Sequence, residues 1–231
     1  MAASRTPRDA QRRRVYLAET PLPSSPLPGL PACERYVDRV VGTLWWAQRF
    51  PDRTLGNVPR LRPGNGARQA FYREDPGRPS ITLPRRYRTK AVVLHELTHW
   101  ALAAHSDLPP HGRTFARVLL DAVSEFLGDE RAAALAASYR EHKVHVARPP
   151  RRGPDGRLRY GWDERLRLTR GHAVTVRYTS ADGDPYRGVT GVYEGPERRS
   201  TVLRLRVRAD EDPVLVPTAS VWDVRRVGSG L

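Results

Sequence analysis

The chain has one cysteine, Cys33, and one methionine, Met1. A single thiol cannot build an internal disulfide framework or a cysteine-rich zinc site. Such sparing use of cysteine fits a reducing, cytoplasmic compartment. Lysine is nearly as scarce. Lys90 and Lys143 are the only two, so arginine carries almost all of the formal net charge of +15. Long apolar runs are missing too. No stretch approaches the length of a membrane span, and the arginine-bearing start has no apolar segment that would read as a secretory leader. What remains is a 231-residue chain, 39% hydrophobic, enough for one large or two small domains. The basic excess favours a polyanionic partner, most simply nucleic acid.

The informative stretch is Thr89 to Leu102, which contains His95-Glu96-Leu97-Thr98-His99. Four residues of α-helix turn the chain by about 400°, so His95 and His99 point the same way one turn apart. Two imidazoles at that spacing can share one zinc ion. Glu96 lies beside them, placed to act on a water without being a ligand. Ala91 to Leu94, Leu97 and Trp100 to Leu102 make the helix apolar nearly all round, as expected of a core helix. Histidines and a glutamate buried there without partners are costly, and a metal relieves that cost. Ordinary core hydrogen bonds are the alternative.

Three continuations could supply a third ligand. His105 has the metzincin spacing. However, Leu102 stands where that family needs glycine, and no methionine is present for its methionine turn. Glu125 or Glu130 would make a gluzincin-like site, but the sequence around them does not match that family's second helix. The third continuation is Pro109-Pro110-His111-Gly112-Arg113-Thr114-Phe115. H-E-x-x-H followed by a short loop and H-G-x-x-F resembles the SprT-like (Spartan-type) zinc metallopeptidases, closest to their short bacterial metallohydrolases. The resemblance spans roughly residues 10–145, and its specific part is 92–116. Arg113 departs from the proline that often follows His-Gly in that group. The resemblance implies His95, His99 and His111 as zinc ligands, Glu96 as general base, and protein substrates, including proteins on DNA.

The remaining sequence divides as follows. Residues 1–31 read as a flexible or helical extension, with a short helix over Arg8–Glu19 docking through Val15, Tyr16 and Leu17. The proline-rich stretch after it is a linker or a surface-packed loop. Residues 32–147 read as the metallohydrolase domain. Its expected elements are a helix over Ala32–Phe50, three short strands within Asn57–Leu83 forming a small antiparallel sheet, the metal helix over Tyr87–Ala104, a helix over Arg113–Leu127, and a last helix to Val144. This α+β order is the one expected of a zincin-like fold. Ala67–Tyr72 is the candidate substrate-binding edge.

Residues 148–167 read as a basic linker, and 168–231 as a small, SH3-like β-barrel of five strands. Fifteen arginines against seven acidic residues lie between Arg148 and Arg208.

The expected function is zinc-dependent hydrolysis of peptide bonds, with Tyr72, Tyr87 and Arg113 as candidate oxyanion donors and DNA as a further partner of the basic C-terminal half. A nucleic-acid-binding protein with a structural zinc site, closed by His105, is the alternative. A regulatory peptidase cleaving a single partner protein is a third option.

Overall fold

Apolar residues at three- and four-residue steps run from Ala32 to Phe50, yet the computed structural model divides this run into two helices. These are α2 (Leu30–Val41) and α3 (Leu44–Arg49). The single helix expected from periodicity is broken at Gly42 and Thr43. Thr43 is the N-cap of α3: its hydroxyl accepts from the Trp46 backbone N–H at 3.2 Å and donates to the Val40 carbonyl at 2.8 Å. A local side-chain cap therefore outcompetes the repeat.

The structure describes residues 7–22, 24–75, 77–103, 108–161, 170–184, 187–196 and 202–227. They form an α+β chain that divides into two units, Met1–Ala147 and Arg148–Leu231. None of its described helices is long and apolar enough to cross a membrane.

In the first unit, α1 (Pro7–Glu19) precedes α2 and α3. Strands β1 (Arg60–Pro63), β2 (Phe71–Arg73) and β3 (Ser80–Leu83) follow, then α4 (Lys90–Leu102), α5 (Arg113–Leu127) and α6 (Asp129–Glu141). The sheet has the order β1-β3-β2. β2 pairs with β3 antiparallel, but β1 pairs with β3 parallel, so the sheet is mixed where a purely antiparallel one was expected. β3 is central and carries the buried Ile81 and Leu83, while β2 is an edge. α4 packs on α2, α5 and β2. Its core side includes Trp100, stacked on Trp46 with centroids 5.7 Å apart at 19°. Such a pair adds about 0.5–1.5 kcal/mol beyond the apolar area it buries.

α4 begins later than expected. Thr89 caps it, accepting from the Val92 backbone N–H at 3.3 Å, and residues 85–87 are a 3₁₀ turn. The proline-rich stretch before α2 is fastened to this start. Lys90 N–H donates to the Ser25 carbonyl at 3.1 Å, and Ala91 N–H donates to the Ser24 hydroxyl at 2.8 Å.

α1 packs along α6, and its Val15 and Ala18 are buried. Of the three docking residues expected, Leu17 is instead exposed, and Tyr16 faces the cleft described below. The Gln11 side chain binds the His145 backbone at both its N–H and its carbonyl, and Arg14 reaches the Lys143 carbonyl.

The second unit opens with a hairpin, β4 (Arg151–Arg152) and β5 (Leu158–Arg159), inside the stretch expected to be plain linker. Arg151 donates to the carbonyls of Thr218, Ala219 and Val221, which ties the hairpin to the rest of the unit. Five strands follow: β6 (Ala173–Tyr178), β7 (Arg187–Pro196), β8 (Val202–Arg206), β9 (Val214–Pro217) and β10 (Val221–Arg226). Their order is β10-β6-β7-β8-β9, antiparallel throughout.

Alternation places Val174, Val176, Leu203, Leu205, Val216 and Val224 in one core. Gly191 is required at the β7–β8 contact, because a Cβ there would lie 2.7 Å from the Arg206 carbonyl oxygen. The closed barrel expected is not formed: among the described residues β9 and β10 share no ladder, and the sheet is open.

Candidate metal centre

Helical spacing puts His95 and His99 on one face of α4, and the Pro109-Pro110 turn returns the chain so that His111 faces them. Gly112 N–H donates to the Pro109 carbonyl at 2.9 Å, and Gly112 is then the N-cap of α5. The three Nε2 atoms form a triangle with sides of 3.2, 3.1 and 3.3 Å. Tetrahedral bonds of about 2.0–2.1 Å to one zinc ion require nitrogens about 3.3 Å apart. A proton shared within one pair of nitrogens leaves the third lone pair of the triangle unmet, whereas a cation meets all three.

These histidines are a metal-competent group among the described residues, and neither Glu125 nor Glu130 belongs to it. His105 lies outside the described residues. Phe115, three residues into α5, packs against all three imidazoles with centroids 4.9, 4.5 and 4.9 Å away. The His-Gly-x-x-Phe spacing thus supplies both the third imidazole and the apolar floor beneath the group.

His95 is oriented from the far end of the unit. Its Nδ1 lies 2.7 Å from Glu19 Oε2 at the end of α1. A carboxylate there holds the proton on Nδ1 and leaves the Nε2 lone pair for a metal. Burial alone would lower the His95 pKa, but the Glu19 charge and hydrogen bond, with the Glu96 charge, raise it overall. His99 behaves in the opposite way. Burial, then the neighbouring His95 and His111, hold it well below its usual value, so it remains a neutral donor.

Glu96 is 4% exposed. Burial pushes its carboxyl up to about 7, against the opposing pull of His95 and a backbone hydrogen bond at Tyr72. Its Oε2 has no hydrogen-bond partner among the described residues, an expensive arrangement for a buried oxygen and one frequently found at reactive sites.

Glu96, His99 and His111 line a cleft of about 610 Å³. Gln69 to Tyr72 form another wall, including the start of edge strand β2. Of the expected oxyanion donors, Tyr72 lines this cleft but its hydroxyl is hydrogen-bonded to Glu74. Arg113 reaches the Val146 carbonyl, and Tyr87 is not among the cleft residues.

The sequence reading missed Arg12, Tyr16 and Glu19 as site residues. One signal was present. Glu19 is an acid at the C-terminal end of a helix, where the dipole disfavours negative charge unless it serves another partner.

No family model, no curated protein and no solved structure matches this chain.

Proposed function

We propose that this chain is a zinc-dependent hydrolase of peptide bonds. The observation that carries the reading is the 3.1–3.3 Å triangle of imidazole nitrogens with the unpartnered Glu96 oxygen on the same helix. All-histidine donors suit zinc, and three protein ligands leave the open position typical of a catalytic centre.

When bound, the ion supplies an acidified water and polarises the carbonyl that is attacked. Glu96 takes the proton of the attacking water and delivers it to the departing amine. A carboxyl pushed up to about 7 suits both halves of that task. Glu19 keeps His95 in the tautomer that binds metal. The unpaired edge of β2 offers backbone groups to an extended peptide by strand addition, which favours peptide over small-molecule substrates. The SprT-like resemblance, with its zincin-like fold, points the same way. Chelation tests the reading: removal of the metal abolishes hydrolysis of denatured casein, and one equivalent of zinc restores it. Hydrolysis that survives metal removal contradicts it.

The second unit is read as a small antiparallel-sheet module that contacts nucleic acid through its arginines. Part of its arginine charge is used internally, by Arg206 on Glu194 and Arg225 on the buried Asp223. Contact with duplex DNA is therefore mainly to phosphate and salt-dependent, with a log–log slope of about −0.9 per phosphate neutralised. Titration of the full chain with a DNA duplex at rising salt measures it, and a flat response removes the DNA assignment.

A further inference from the structure

Arg12, Tyr16 and Glu19 follow one another at i, i+4 and i+7 along α1 and so share one helix face. Glu19 fixes the end of that stripe on His95. Its middle is thereby brought to the imidazoles. The Tyr16 ring stacks on His95 at 5.5 Å and 20°, and its centroid is 5.0 Å from that of His111. Arg12, Tyr16 and Glu96 all line the cleft. Tyr16 is 37% exposed, so a bound substrate can reach it. The Arg12 guanidinium lies over its ring, 5.7 Å from the centroid. A phenol has its own O–H to donate.

We propose that Tyr16 is the oxyanion donor of this site, with Arg12, packed over its ring, as its positioning residue. The proposal rests on the hydrolase reading above. As the water oxygen bonds to the carbonyl carbon, the carbonyl π pair moves onto oxygen. The Tyr16 hydroxyl hydrogen-bonds that developing charge and keeps its proton. When the C–N bond breaks, the pair returns to re-form the carbonyl, and the proton that Glu96 took from water leaves with the amine. A donor placed where charge appears only at the transition state lowers the barrier more than it tightens substrate binding. Helix α1, far from the histidines in sequence, is on this account part of the catalytic centre.

Tyr16→Phe tests this, because it keeps the ring against both imidazoles and removes only the hydroxyl. Three quantities are measured on the full chain: zinc affinity by chelator competition, acetohydroxamate binding to the zinc-loaded protein by calorimetry, and casein hydrolysis. The expected result is unchanged zinc affinity, acetohydroxamate binding weakened about tenfold by loss of one hydrogen bond to an anion, and kcat down roughly 100-fold or more with KM nearly unchanged. Full hydroxamate affinity and kcat in the variant overturn the proposal, and so does loss of zinc, which makes Tyr16 structural. A wild-type protein that takes up no zinc, or that binds zinc but no acetohydroxamate, removes the hydrolase reading and this proposal with it.

Discussion

Glu19 Oε2 and His95 Nδ1 lie 2.7 Å apart although 76 residues separate them in sequence. The two side chains are largely buried, at 17% and 6% exposure respectively. This one contact couples the N-terminal helix to the histidine-bearing face of α4. On the proposed zinc reading, it makes metal affinity depend on a residue that is not a ligand.

Glu19→Gln keeps the shape of that contact but removes the negative acceptor. Carboxylate partners of ligand histidines typically contribute 10–100-fold in metal affinity. Zinc affinity by competition with a chromophoric chelator is expected to fall by about that factor, with the circular dichroism of the fold retained. An unchanged affinity shows that the Glu19–His95 pair is structural only.

The metal-free protein carries a pH dependence set by Glu96. Burial raises its folded-state pKa from 4.5 to about 7. The folded state therefore prefers the neutral acid. The stability this group contributes is fully present below pH 4.5, is lost as pH rises toward 7, and stays constant above. The full shift corresponds to roughly 3 kcal/mol. Glu96→Gln removes the titration, so apo wild type should lose more stability than apo Glu96→Gln between pH 4.5 and pH 7.5. Parallel urea stability profiles for the two proteins contradict the buried neutral acid.

The Trp46–Trp100 stack joins α3 to α4, and the Trp46 indole N–H donates to the Arg53 carbonyl at 2.8 Å. Trp46→Ala leaves a cavity and an unpaired carbonyl. Equilibrium unfolding should show a loss of about 3–5 kcal/mol. A loss below about 1 kcal/mol, the size of a surface substitution, places Trp46 outside the core.

The elements best read from sequence were those governed by local pattern alone. α5 runs from Arg113 to the positive-φ Gly128, and β6 and β9 alternate cleanly. The α2–α3 break was obscured because Gly42 and Thr43 interrupt the backbone without interrupting the apolar period. The parallel pairing of β1 with β3 was not legible either, since a crossover leaves no mark on three- and four-residue strands.

The same division holds at the site. The convergence of His95 with His99 follows from helical spacing. The approach of His111 was suggested by the His-Gly-x-x-Phe resemblance. Arg12, Tyr16 and Glu19 escaped notice because their partners lie across tertiary packing, where single-sequence periodicity carries no information.

On the proposed function, Glu96 moves the proton in a metal-dependent hydrolysis and is not itself a ligand. Measuring zinc content and hydrolysis of denatured casein together in wild type and Glu96→Gln tests it most directly. The account predicts one zinc per chain in both proteins and cleavage by wild type only. A Glu96→Gln variant that cleaves at the wild-type rate, or that emerges without zinc, contradicts it.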